Sequence, residues 1–131
     1  MREMKVTFPG GKRVDAEYKG FVIETDQPVY AGGEGKAPAR FDLFLASIAT
    51  CSGLYVLAFC QNRNIPLDGA SVVMRMHKSE QTKMIEKIDI ELWLPPGFPK
   101  KYEKAVIRSV NMCSVKAHIV DAPAFEIMVK R

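Results

Sequence analysis

At 131 residues, with 47% hydrophobic and 26% charged residues, the chain has the make-up of one globular domain spanning 1–131, which argues against a disordered tail or a multidomain protein. Its 19 Lys and Arg against 15 Asp and Glu give a formal charge of +4, scattered except for Lys100, Lys101 and Lys104, so no nucleic-acid footprint is visible and no nucleic-acid partner is expected. Three cysteines without regular spacing do not make a disulfide framework, and the first residues carry no secretory pattern; a reducing, cytoplasmic setting is the expectation.

Residues 5–8, 12–18 and 21–25 read as short strands separated by Pro9-Gly10-Gly11 and Lys19-Gly20, a β-meander. In the second strand Val14, Ala16 and Tyr18 alternate with Arg13, Asp15 and Glu17, the period of a half-buried sheet with one wet face. Residues 26–38 combine Gly, Pro and polar side chains over a length unusual for a simple connection, which suggests a lid. The run from Gly33 to Ala37 lacks the spacing and terminal Ser or Thr of a phosphate loop, so no nucleotide is expected.

A long helix is predicted over 39–64, opened by Pro38 and closed by Asn64, Ile65 and Pro66. Its 18 residues from Leu43 to Cys60 contain no charge and no proline, long enough in principle to cross a bilayer. Small residues along it, Ala46, Ser47, Ala49, Thr50, Ser52 and Gly53, suit packing against protein instead. The expectation is a buried central helix, covered with help from a second subunit, and no membrane.

Two strands follow, over 70–78 and up to Leu94, with Val72, Met74 and Met76 on one face of the first and Ile88, Ile90, Leu92 and Leu94 on one face of the second. Gln81 and Thr82 supply the turn. A proline-rich break precedes a helix over 100–112, whose stripe Tyr102, Val106, Val110 leads at helical spacing to Cys113 and aims it inward. A short helix through Val120 and a last strand over 124–130 complete an α+β domain.

Cysteine chemistry narrows the function. Nine residues separate Cys51 from Cys60, a rotation of about 900° that sets them on opposite sides of the helix, so Cys60 reads as a core residue. A mid-helix thiol in apolar surroundings has a raised pKa and gains nothing from its own helix N-terminus, so Cys51 needs a nearby cation to become a thiolate. Cys113 with His118 makes a poor nucleophile and base, being five residues apart on different helical faces with no third group to orient them. His77 reads as a lone strand histidine, and without Cys-x-x-Cys or paired histidines no metal is expected.

The segment 38–51, PARFDLFLASIATC, and the segment 105–116, AVIRSVNMCSVK, resemble the two signatures of the OsmC/Ohr family, each ending in or enclosing a cysteine. The likeness extends over most of the chain, because the meander, the two later strands and the last strand come in the family's order. It implies an OsmC-like α+β fold in an intertwined homodimer with the long helices central. It also implies thiol-dependent reduction of hydroperoxides, often organic ones, without metal or bound cofactor. Cys51 would be the peroxidatic thiolate, oxidised to a sulfenic acid, and Cys113 would resolve it as a disulfide. External dithiols of the lipoyl or thioredoxin type would then reduce the pair.

Two departures fall near the thiols. Family peroxidases pair an arginine with a glutamate; here the acidic position is Asp42, one methylene shorter, and nine residues put it about 13 Å along the helix from Cys51. The arginine has candidates in Arg2, Arg13 and Arg40. The family's common proline after the second cysteine is Ser114. A rival reading therefore stands beside the peroxidase: a non-catalytic OsmC-like dimer that binds a hydrophobic small molecule in the cleft beside the cysteines.

Overall fold

A computed structural model describes residues 2–131. The chain forms two compact units, Met1–Ala46 and Ser47–Arg131, and the long helix α1 (Arg40–Gln61) runs from the first into the second.

In the first unit, β1 (Lys5–Gly10), β2 (Arg13–Tyr18) and β3 (Phe21–Thr25) form an antiparallel sheet in the order β1-β2-β3. Ala16 pairs with Val6 on one side and Ile23 on the other. The second turn uses Lys19 and Gly20, both at positive φ, 53° and 81°, the geometry whose twist matches a tight hairpin. The wet face expected on β2 is less wet than its alternation suggests. Arg13 reaches both Asp15 (3.8 Å) and Glu24 (3.6 Å), covering Asp15 while Val14 on the other face stays exposed.

The 26–38 segment is a wrapped loop, organised by one carboxylate. Asp26, 1% exposed, accepts the backbone N–H groups of Gln27 (2.7 Å), Glu34 (3.3 Å) and Lys36 (3.1 Å). A 3-10 turn over Val29–Ala31 forms its tip. Gly33 is required where the chain doubles back, since a Cβ there would lie 2.0 Å from the Gln27 carbonyl oxygen.

The start of α1 is held by Asp42, whose carboxylate accepts the Ala39 N–H at 3.1 Å, as the acidic residue of a capping box does. Within the chain only one stripe of the helix is buried, Ile48, Ser52, Val56, Phe59 and Cys60, at the i, i+4 spacing of a single face. Phe41, Phe44 and Leu54 are exposed, because one chain supplies too few elements to cover a helix apolar all round; this is the surface that the expectation of a buried central helix assigned to a second subunit.

The C-terminal end of α1 is closed by Arg63. Its Nη1 donates to the Phe59 carbonyl (3.2 Å) and its guanidinium lies 3.6 Å from the Phe59 ring centroid; a cation here complements the negative end of the helix. Asn64, at φ 54°, then turns the chain.

The core of the second unit is built from Val56, Phe59, Cys60, Val106 and Val110, with Phe98 and Tyr102 against it. Cys60 is 0% exposed, as its place opposite Cys51 requires, and burial pushes its thiol up. β4 (Ser71–Lys78) and β5 (Ile85–Trp93) form a two-stranded antiparallel sheet in which Met74 pairs with Ile90 and Met76 with Ile88. His77 is not alone: it meets Asp89 at 2.7 Å, beside Arg75 and Glu91 at 2.8 Å. The turn between the strands is organised by Ser79, whose Oγ accepts the N–H groups of Gln81 and Thr82.

A 3-10 turn over Lys100–Tyr102 leads into α2 (Glu103–Val110), and α3 (Ser114–Val120) follows. Val106 and Val110 are buried, as the helical stripe predicts. The last strand is not formed. Residues 124–130 pair with no strand of their own chain and lie exposed, because an alternating pattern marks a segment able to join a sheet without fixing which edge it joins.

Candidate active site

The site grows from the mid-point of α1 and the first turn of α3, both within the second unit. Cys51 is partly exposed on α1. Cys113, 2% exposed, stands at the N-cap of α3, and its Sγ accepts the Lys116 N–H at 3.4 Å. An N-cap residue has extended backbone angles and turns its side chain across the helix end; the Val106 and Val110 face of α2 sets the approach.

The fold brings the two thiols close enough for each to act on the other's proton affinity. Burial pushes the Cys51 thiol up, but the Cys113 S–H, the N–H groups of Val115 and Ser114, and the Ser114 hydroxyl outweigh it and hold Cys51 below its ordinary value. Cys113 moves the other way: burial and the neighbouring Cys51 raise it, against the pull of the Lys116 N–H. Of the two thiols Cys51 is thus the one that gives up its proton more readily, and the deprotonated form of a cysteine is the nucleophilic one.

This answers the requirement of a cation differently. The first N–H groups of any α-helix lack intrahelical partners, and here those of α3 turn toward a residue in the middle of α1. Ser114, notable in the sequence only as the missing proline, supplies an N–H and an O–H where proline supplies neither. The available signal was the N-cap grammar of Cys113 and Ser114 after the break at Asn111 and Met112.

The charged candidates lie in the first unit. Arg13 is engaged with Asp15 and Glu24, Asp42 with the Ala39 N–H, and Arg40 is exposed on the opening turn of α1. Arg2 is exposed near the start of the chain. His118 places Nδ1 2.6 Å from the Ser114 carbonyl oxygen, not on a cysteine.

Residues 33–128 match the family model described as OsmC-like protein. The chain belongs to this family. Similar folds occur in several solved OsmC-like structures. A protein from Psychrobacter arcticus named for an osmotic-stress and detoxification response is 23% identical with a TM-score of 0.73, over 89% of this chain and 87% of that one. An OsmC-like protein from Mycoplasma pneumoniae is 12% identical with a TM-score of 0.70, over 93% and 89%. An organic hydroperoxide resistance protein OsmC from Legionella pneumophila is 18% identical with a TM-score of 0.57, over 91% and 88%. No curated protein sequence matches the chain. These likenesses establish the OsmC-like α+β fold, in which α1, long and apolar enough by length and composition to cross a bilayer, is the long helix of the fold.

Proposed function

We propose that this OsmC-like protein is a thiol-dependent peroxidase acting on organic hydroperoxides, with Cys51 as nucleophile and Cys113 as resolving cysteine. The observation that carries the reading is the opposite displacement of two neighbouring thiols, Cys51 toward easier and Cys113 toward harder deprotonation. The Cys51 thiolate attacks the terminal oxygen of R–O–O–H. The S–O bond forms as the O–O bond breaks, leaving a sulfenic acid, and the alkoxide leaves as alcohol after taking a proton. The Cys113 sulfur then attacks Cys51, the S–S bond forms, and water leaves with the Cys113 proton. Two electrons pass from sulfur to the peroxide, and no step calls on a metal or organic cofactor.

An external dithiol of the lipoyl or thioredoxin type returns the pair to thiols. The working form in this proposal is a homodimer in the cytoplasm, each chain acting as one domain. For the arginine and acidic pair of family peroxidases, Arg13 and Asp42 already have partners, which leaves Arg2 and Arg40 as the candidates for that duty. The same engagement of Arg13 and Asp42 favours the rival reading, an OsmC-like dimer that binds a hydrophobic molecule without oxidation.

One equivalent of an organic hydroperoxide added to reduced protein separates the two. Peptide mass spectrometry is expected to find a Cys51–Cys113 disulfide within seconds and none in Cys51→Ser. Persistent free thiols would sink the peroxidase and favour the binding protein.

A further inference from the structure

Among residues 111–131 a single side chain is buried, that of Cys113. The helix that follows it, α3, has no buried residue of its own. Its Ile119 is 47% exposed and borders, with Ile85, Ile88 and Ile90 of β5, a cavity of about 470 Å³, so packing onto the sheet does little to hold it. The polar contacts of its side chains are local. Lys116 Nζ donates to Asn111 Oδ1 at 2.9 Å, and His118 Nδ1 meets the Ser114 carbonyl oxygen at 2.6 Å. Seven residues are too few for a helix to stand on its own propensity in water.

The ties from α3 to the core are therefore the two cysteines. Cys113 is both the buried anchor and the cap: its Sγ accepts the Lys116 N–H at 3.4 Å, the third-residue donor that an N-cap side chain takes. The N–H groups of Ser114 and Val115 act on Cys51, so the donors of the first turn are spent on sulfur. Oxidation changes both sulfurs at once. In a disulfide the Cys113 sulfur is bonded to Cys51 Sγ, and its position is set by that bond rather than by the Lys116 N–H. Cys51 can then no longer carry the negative charge that a helix N-terminus favours.

We propose that α3 is a redox-sensitive element, ordered while Cys51 and Cys113 are thiols and loosened when they join as a disulfide. This rests on the pairing of the two cysteines in the proposed function, but not on a peroxide as the oxidant. Loosening uncovers the Cys113 sulfur, 2% exposed in the thiol form, to the external dithiol that must cleave the bond. Because the stabilisation by α3 belongs to the dithiol form alone, the same coupling makes the disulfide easier to reduce.

Diamide oxidises the reduced protein without a peroxide: it takes two electrons and two protons from the thiol pair and becomes a hydrazine, and peptide mass confirms the Cys51–Cys113 bond. The Lys116–Ala117 bond lies inside α3, so limited trypsin digestion read by mass spectrometry reports the order of the helix, with amide exchange over residues 117–121 as a second readout. Both are expected to rise about five- to thirtyfold in the disulfide form, the range for loss of a cap and a helix-end charge, and to return on reduction. Cys51→Ser treated with diamide keeps the rate of the dithiol form. Without oxidant, Cys113→Ser, which retains a capping oxygen, stays protected, whereas Cys113→Ala is cut faster. Equal or slower cleavage and exchange in the disulfide form overturns the inference, as does a failure of diamide to join Cys51 and Cys113. A bond that forms with diamide but not with an organic hydroperoxide takes down the peroxidase reading alone, and the cleavage rates still decide the behaviour of α3.

Discussion

Ser114 gives the site a property that can be removed without harming the fold. It is the first residue of α3, directly after the Cys113 N-cap, where proline's missing N–H costs no helical hydrogen bond and its fixed φ suits the turn. Ser114→Pro therefore leaves α3 intact while deleting one N–H and one O–H that hold Cys51 down. With fewer donors the thiolate loses stabilisation, so the pH profile of Cys51 alkylation moves to higher pH. The alkylation rate at neutral pH is expected to fall by up to about tenfold, the worth of one hydrogen bond to a charged group. Ser114→Ala, which keeps the N–H, should fall between. Iodoacetamide labelling read by peptide mass spectrometry makes the measurement, and an unchanged profile in both variants would remove Ser114 from the activation of Cys51. That Cys51 and Cys113 would be neighbours was an expectation from their signatures and helical positions, and the two thiols lie near enough to shift each other's proton affinity. Their activation was not legible in the sequence, because it depends on which way α3 presents its first turn to a helix more than fifty residues earlier, and no periodicity carries that information.

At the level of elements, the 26–38 loop shows what pattern reading finds and what it leaves out. Glycine, proline and length mark the loop, but its order comes from Asp26, whose partners are backbone N–H groups that every sequence possesses. The N–H groups of Lys36 and Gln27, then that of Glu34, outweigh burial and hold the Asp26 carboxyl below its ordinary 3.8. A depressed carboxyl stabilises the folded state fully above the unfolded value and loses that contribution as pH falls through the lower folded value. Asp26→Asn replaces one acceptor oxygen with an amide that points its own N–H at backbone donors, so its melting temperature should be lower at neutral pH. The gap from the unaltered protein should then close as pH drops below 3.8. Thermal melts from pH 7 to 2.5 follow both effects, with faster proteolysis between residues 27 and 37 as a local readout. A gap that stays constant down to the lowest pH would mean that the carboxylate charge does not hold the loop. The regular elements were more legible. β3 falls over the predicted residues, and α1 ends within a few residues of its predicted limits, because strand alternation and helix punctuation are local properties of the chain.

At the scale of the whole molecule, the remaining disagreement between pattern and fold has one physical source, apolar surface that a single copy leaves uncovered. Residues 124–130 have strand-like alternation but form no strand, and Phe125, Ile127 and Val129 stand 86%, 96% and 80% exposed. Phe8 and Phe21 are exposed on the meander, and Phe41, Phe44 and Leu54 on α1. Apolar surface on this scale marks an interaction face in a soluble protein, and an extended segment with unpaired backbone adds most readily to an open sheet edge. In the homodimer proposed here, residues 124–130 of one copy pair with a sheet edge of the other, forming the strand that the sequence predicts. Size-exclusion chromatography with light scattering is then expected to give twice the chain mass of 14.7 kDa, and the amides of 124–130 should exchange slowly with solvent. Ile127→Asp removes a buried aliphatic contact and adds a charge to the seam. The loss of about 1.5–3 kcal/mol per site from burial alone weakens dimerisation by roughly ten- to a hundredfold or more. A monomer at high concentration in the unaltered protein, or a dimer indifferent to Ile127→Asp, would show that the C-terminal segment is covered by something other than a second copy.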